Sequence, residues 1–142
     1  MGWRLNIPGL RRYDPPGAAS WQGGAGADTV DGGWGSDVVS GGSDADLFVW
    51  RADSGDTDRF TDFVRGTDLM VLGYSWNEPS LFDQLDSTND NRLTAADLNV
   101  DVIAGNLVLD AGALEGDPGG STLTVVGVTQ LTLADLFIGD LF

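Results

Sequence analysis

Twenty residues of this 142-residue chain are Asp and two are Glu, and the Asp side chains recur at fixed intervals. From Gly23 to Val49 the chain reads GGAGADTVD, GGWGSDVVS and GGSDADLFV, three nine-residue units without a gap. Each unit opens on Gly-Gly, carries Asp sixth (Asp28, Asp37, Asp46) and carries an apolar residue eighth (Val30, Val39, Phe48). A carboxylate beside a glycine turn supplies a hard anionic oxygen next to backbone carbonyls, which is the donor set of Ca²⁺. Glycine is required where the backbone turns at positive φ and where two backbones approach closely. The candidate metal-ligating positions in these units are therefore Gly24, Gly26, Asp28, Gly33, Gly35, Asp37, Gly42 and Asp46. Asp44 stands where the other units have Gly26 and Gly35; Asp tolerates the left-handed region and adds a carboxylate.

The elements that position these groups follow from the period. Each unit ends in a short alternating segment, a strand whose eighth-position side chain points inward. Successive units pass to opposite sides of a roll, so one coil takes two units and stacked turns belong to units n and n+2. The turn of Gly23–Asp28 is expected to stack on that of Gly41–Asp46, with Asp28 and Asp46 sharing one ion. The Asp37 turn faces the other side, and counting on by nines gives it residues 50–55 as a partner, with Asp53 and Gly55. Counting backwards, residues 14–22 (DPPGAASWQ) read as a worn unit with Gly17 fourth and Trp21 eighth. That reading implies a roll entered partway along, as in a longer parent sequence.

Composition bounds the chemistry further. The formal net charge is -15, with seven Arg and no Lys, and the bias to Asp over Glu suits turns, where the shorter side chain bonds its own backbone. Like charges at this density oppose compaction unless cations neutralise them. There is no basic patch, which argues against a nucleic-acid partner. His and Cys are absent, so soft and borderline metal ligands are missing and oxygen donors for Ca²⁺ or Mg²⁺ remain. The same absence removes disulfides and the Ser-His-Asp and Cys-His constellations, so no catalytic residues are assigned. No apolar run is long enough to span a membrane, and residues 1–17 lack the apolar core of a Sec signal peptide.

The three units resemble the RTX (repeats-in-toxin) nonapeptide GGxGxDxUx, in which U is apolar. The resemblance implies a Ca²⁺-binding parallel β-roll holding several ions, in a secreted bacterial protein. The following segment, DTDRFTDFVRGTDLMVL, is similar to the stretch after the repeats in that family through Asp58, Asp62, Phe63, Gly66, Asp68, Met70 and Leu72. By that resemblance Asp58 and Asp62 close the last ion site; read as residues alone, they serve equally as turn carboxylates in water. Phe60, Phe63 and Val64 are the expected core there, and 68–72 is the expected strand.

A second constellation lies in LFDQLDSTNDNRLTAADL, residues 81–98. It resembles an EF-hand loop, with Asp86, Thr88, Asp90, the Arg92 carbonyl and Asp97 in ligand positions and Leu93 at the apolar eighth position. Thr at the third position, Asn91 for the usual Gly and Asp for the terminal Glu weaken the set, which implies an affinity of roughly 10⁻⁴ to 10⁻³ M. Without metal the same residues make an Asp/Asn-rich turn capping a short helix at 94–98.

Beyond Asn99 the pattern alternates: two strands in 100–110 joined near Ala104–Asn106, a loop at 116–120, a strand at 121–128, and an apolar ending, LTLADLFIGDLF. That ending resembles the uncleaved C-terminal signal of RTX proteins, which implies the type I secretion machinery as a partner; as residues alone it reads as a last strand packed on the cap.

The expected fold is all-β: a short Ca²⁺-binding parallel β-roll followed by a β-rich cap with a small EF-hand-like loop and helix. The expected divisions are an extension at 1–13, the roll and its closing turn at 14–72, and the cap at 73–142. The function this implies is a non-catalytic calcium-binding module that folds outside the cell. Two alternatives share the same physics: the C-terminal part of a secreted RTX protease or lipase, and a calcium-stiffened surface adhesin that uses Trp34 or Trp76.

Overall fold

The computed structural model describes residues 3–5, 20–31, 35–51, 56–73, 81–112 and 121–136. Gly33, Asp53, Gly55, Trp34, Trp76, the start of the worn unit at 14–19 and the last six residues, 137–142, lie outside the described residues.

The fold is all-β and built on a parallel roll. One face carries β1 (Trp3–Leu5), β2 (Ser20–Ala25), β4 (Val38–Ser43) and β6 (Thr57–Phe60), each parallel to the next. The opposite face carries β3 (Thr29–Asp31), β5 (Leu47–Arg51) and β7 (Leu69–Gly73), also parallel. Consecutive units alternate between the faces, as the nine-residue period requires. Trp21, the eighth residue of the worn unit, pairs in register with Val39.

The eighth-position side chains form the core because alternation points them all inward. On the first face Trp21, Val39 and Phe60 are aligned in adjacent strands, and on the second Val30, Phe48 and Met70. All six are buried. Phe48 joins the faces, with its ring centroid 5.0 Å from that of Phe60 and 5.5 Å from that of Phe63. Val64, expected in the core with Phe60 and Phe63, is instead 54% exposed. It sits in the closing turn, where Thr67 and Asp68 both donate backbone bonds to its carbonyl and the side chain is turned outward.

The cap continues the first face. Strand β11 (Thr122–Val125) adds to β6 in parallel, and the hairpin of β9 (Val100–Ile103) and β10 (Asn106–Asp110) completes a seven-stranded sheet in the order β1-β2-β4-β6-β11-β10-β9. The inward row therefore runs on from Phe60 through Val125 to Leu107. The hairpin turn at Ala104 and Gly105 has φ of 53° and 81°, the double positive-φ turn that matches strand twist. Among the described residues Leu136 bridges Met70 beside β7, and Arg65 Nε donates to the buried Asp135 at 2.9 Å, tying the closing turn of the roll to the end of the cap.

The EF-hand that the 81–98 segment resembles is not seen among the described residues. A five-residue helix, α1 (Leu81–Leu85), leads in with Phe82 and Leu85 buried. Strand β8 (Arg92–Leu93) then pairs antiparallel with β12 (Leu131–Thr132). Residues 98–110, which directly follow Asp97, hold no helix, and the 94–98 helix is not formed either. The chain turns there and is drawn into β9, whose pairing with β10 satisfies backbone groups that an exiting helix would have satisfied internally.

Candidate metal centre

The turns stack in two columns, one along each edge of the roll. In the first, the Gly23–Asp28 turn lies on the Gly41–Asp46 turn, and that lies on the Asp62–Asp68 turn. The contacts are backbone amides of one coil donating to carboxylates of the next. Asp28 N donates to Asp46 Oδ1 at 3.0 Å and Asp46 N to Asp68 Oδ1 at 2.9 Å. Gly26 N donates to Asp44 Oδ2 at 3.1 Å, and Gly41 N and Gly42 N donate to the two oxygens of Asp62, each at 2.9 Å. The expected stacking of units n and n+2, with Asp28 against Asp46, is the arrangement found.

In the second column the described partners of the Asp37 turn are Asp56 and Asp58; Asp53, expected there, lies outside the described residues. Asp37 N donates to Asp58 Oδ1 and Gly35 N to Asp56 Oδ2, both at 2.9 Å. The reason is a longer connection: Val38 pairs with Arg59, so the coil that follows the repeats is three residues longer than the eighteen of the Val38-to-Ser20 step. Counting by nines missed Asp56 for this reason, and it missed Asp68 because the next coil is longer too. A signal for the former was present. Asp56-Thr-Asp58 repeats the Asp44-Ala-Asp46 spacing, fourth and sixth positions of a unit.

The backbone shape of the turns explains the residue types. Gly24, Gly26, Gly35 and Gly42 have φ of 107°, 96°, 100° and 103°, and Asp44 takes 77° in the equivalent place. A Cβ on Gly42 would collide with the Gly24 carbonyl oxygen, and one on Gly23 with that of Gly41. Carbonyl oxygens therefore lie between stacked turns, close to the sixth-position carboxylates.

These carboxylates are buried. Asp28, Asp37, Asp46, Asp58 and Asp68 are all below a tenth exposed. Both oxygens of Asp28 and Oδ2 of Asp46 are buried without a hydrogen-bond partner. Burial pushes the Asp46 carboxyl up to about 6; the Asp28 amide pulls it down, and the neighbouring Asp68, Asp28 and Asp62 charges add to the rise. Burial likewise raises Asp28 and pushes Asp58 up to about 6, the latter against the lowering effect of hydrogen bonds from Asp37 N and the Trp50 indole. Buried acceptors with no donor are costly unless a cation or donor meets them. Orphaned carboxylate oxygens beside carbonyls are hard donors, so the residues fit Ca²⁺. Among the described residues no three acidic side chains converge on one point, so an ion here draws on backbone carbonyls as well.

The Asp86–Asp97 loop satisfies itself differently. Asp86 accepts the amides of Asp90 at 3.2 Å and Asn91 at 2.8 Å. Asp97 accepts from Thr94 N, Thr88 N, Thr88 Oγ1 and Ser87 Oγ. Burial raises the Asp97 carboxyl, but the donors from Thr94, Thr88 and Ser87 outweigh it and hold the group below its ordinary value. Asn89 and Asn91 take positive φ, the role Gly fills in a calcium loop. Thr88, Asp90 and Arg92 are exposed along its outer side.

No curated protein matches the chain. A family model does match residues 22–48, that of the RTX calcium-binding nonapeptide repeat (4 copies). Glycine turns at positive φ, sixth-position carboxylates aligned across coils, an inward eighth-position row and that match agree, and residues 22–48 of this chain are RTX calcium-binding nonapeptide repeats.

Proposed function

We propose that this chain is a non-catalytic calcium-binding module that completes its folding when Ca²⁺ enters the turns of the roll. The observation that carries this reading is the set of buried, unpartnered oxygens on Asp28 and Asp46 within the matched repeats. A cation supplies the missing partner, and its binding free energy becomes folding free energy. The ligands assigned are the carboxylates of Asp28, Asp37, Asp44 and Asp46, with the turn carbonyls around Gly24, Gly26, Gly33, Gly35 and Gly42. Asp58 and Asp62 stand at the following coil, and Asp53 lies outside the described residues. The loop of Asp86, Thr88, Asp90, the Arg92 carbonyl and Asp97 is assigned a subordinate, weaker site.

Residues 14–72 are the calcium-binding unit on this reading. Residues 73–142 form the cap, which shields the last coil through the β11–β6 pairing. RTX repeats point to a secreted bacterial protein, and we place the module outside the cell after export by type I secretion machinery. Scarce cytosolic calcium leaves the chain loose enough for a channel, and abundant external calcium locks it. No described helix is long and apolar enough to cross a membrane.

Calorimetric titration of the chelated chain with Ca²⁺ tests the ligand assignment. Asp46→Asn is expected to remove one bound ion and weaken the remainder. A titration with no heat of binding, or one unchanged by that substitution, contradicts it.

A further inference from the structure

Repeat units begin at Gly23, Gly32 and Gly41, so the next begins at position 50, where the chain has Trp. In the units that start at Gly23 and Gly41 the first residue lies against the sixth-position carboxylate of its own unit. A Cβ on Gly41 would run into Asp46 Oδ2, and one on Gly23 would lie 2.9 Å from Asp28 Oδ2. Both of those oxygens are among the buried ones that have no hydrogen-bond partner. In the unit that starts at Trp50 the corresponding carboxylate is Asp58, and its Oδ2 accepts the Trp50 indole N–H at 2.9 Å. Its other oxygen is used as in the earlier units: Asp58 Oδ1 takes the amide of Asp37, as Asp46 Oδ1 takes that of Asp28. A side chain fits at the first position here because the sixth-position Asp follows eight residues later, against five between Gly41 and Asp46. Trp50 is itself buried, so the bond is shielded from water.

We propose that the Trp50 indole N–H takes, on Asp58, the place that a calcium ion takes on Asp28 and Asp46, so that the ladder of ions stops short of Asp58 and this end of the roll closes without metal. The inference rests on the calcium reading of the repeats. Its physical content is a substitution of partner. A buried carboxylate needs a positive partner, and an indole N–H is a fixed donor that a chelator cannot remove. The charges of Asp56 and Asp31 also bear on Asp58, which makes a donor there more necessary.

Calcium stoichiometry of the full chain and three variants tests the inference. Asp58→Asn is expected to bind as many ions as the unsubstituted chain, while Asp46→Asn binds one fewer. Trp50→Phe keeps a ring in the core and removes the donor; it is expected to melt several degrees lower in chelator and to bind one additional ion in calcium. If Asp58→Asn loses an ion, Asp58 is an ordinary ligand and the inference is overturned, whether or not Trp50→Phe folds. A second readout is independent of ion counting. The Trp50 indole N–H, identified by its absence from the spectrum of Trp50→Phe, should exchange slowly with solvent in the calcium-loaded chain, and free-indole exchange there contradicts the proposal. If the unsubstituted chain binds no calcium, the calcium reading fails, and slow exchange at Trp50 still reports the Asp58 contact separately.

Discussion

Gly24 and Gly42 are equivalent residues of adjacent coils with nearly the same φ, yet they are not equally replaceable. A Cβ on Gly24 meets nothing within 4 Å, whereas one on Gly42 runs into the Gly24 carbonyl. Gly24→Ala therefore carries only the left-handed backbone penalty, about 1–2 kcal/mol, and Gly42→Ala adds overpacking of about 1–3 kcal/mol. Denaturant melts in calcium should rank Gly42→Ala well below Gly24→Ala; equal losses would mean that the coils are less closely stacked than described.

The buried carboxylates give a pH dependence whose sign changes with calcium. Asp46 and Asp58 have folded-state values near 6 against 3.8 for the free side chain. In chelator their contribution to stability is fully present below about pH 3.8 and is lost as pH rises through about 6. The chelated chain should thus melt higher near pH 4.5 than near pH 7.5, and the calcium-loaded chain should show the opposite order because protons compete with the ion at Asp46. A chelated melting temperature that rises with pH across that window contradicts the account of Asp46 and Asp58.

At the scale of elements, the roll is held by two inward rows that meet at Phe48. Phe48→Ala removes a fully buried ring from contact with Phe60 and Phe63 and is expected to cost about 3–5 kcal/mol, measured by denaturant unfolding in excess calcium. The Asp86–Asp97 loop is held by its own hydrogen bonds. Asp97→Ala should therefore cost about 1–3 kcal/mol in chelator as well as in calcium, since it strands the Thr88 and Thr94 donors. A loss confined to the calcium-loaded chain would instead make Asp97 a ligand first and a structural acceptor second.

Elements also divide what was legible in the sequence from what was not. The rows of Trp21 and Val39, and of Val30 and Phe48, follow from a strict nine-residue period, because a fixed period fixes which side chains share a face. The partner of Asp37 did not follow. Three extra residues after Trp50 bring Asp56 and Asp58 to the Asp37 turn, and a count by nines does not show how the longer connection is absorbed, although the Asp56-Thr-Asp58 spacing marks it. The EF-hand, expected but not seen, is a similar case. The loop turns at Asn89 and Asn91 are local and readable, whereas the fate of the chain after Asp97 is decided by its pairing with β10, a tertiary matter. Val64 erred the same way: its type suits a core, but the closing turn aims it at solvent.

For the molecule as a whole, the decisive quantity is a formal charge of -15 wound into a roll whose acids are stacked at its edges. Packing of the inward rows favours the coil, while buried and mutually repelling carboxylates oppose it, so on the proposed reading the balance rests on the cation. The cap lies in the same sheet as the roll, through β11 on β6, and offers the last coil a paired edge instead of an open one. Calcium is thus expected to act on the repeat end while hydrogen bonds close the other. The most direct measurement is far-UV circular dichroism of the full chain at about pH 7.5, first in chelator and then through a calcium titration into the millimolar range. The expected result is a cooperative gain of β signal as calcium is added, reversed by chelator and weakened in Asp46→Asn. A chelated chain that already shows its full β signal, unmoved by calcium, would contradict the central claim.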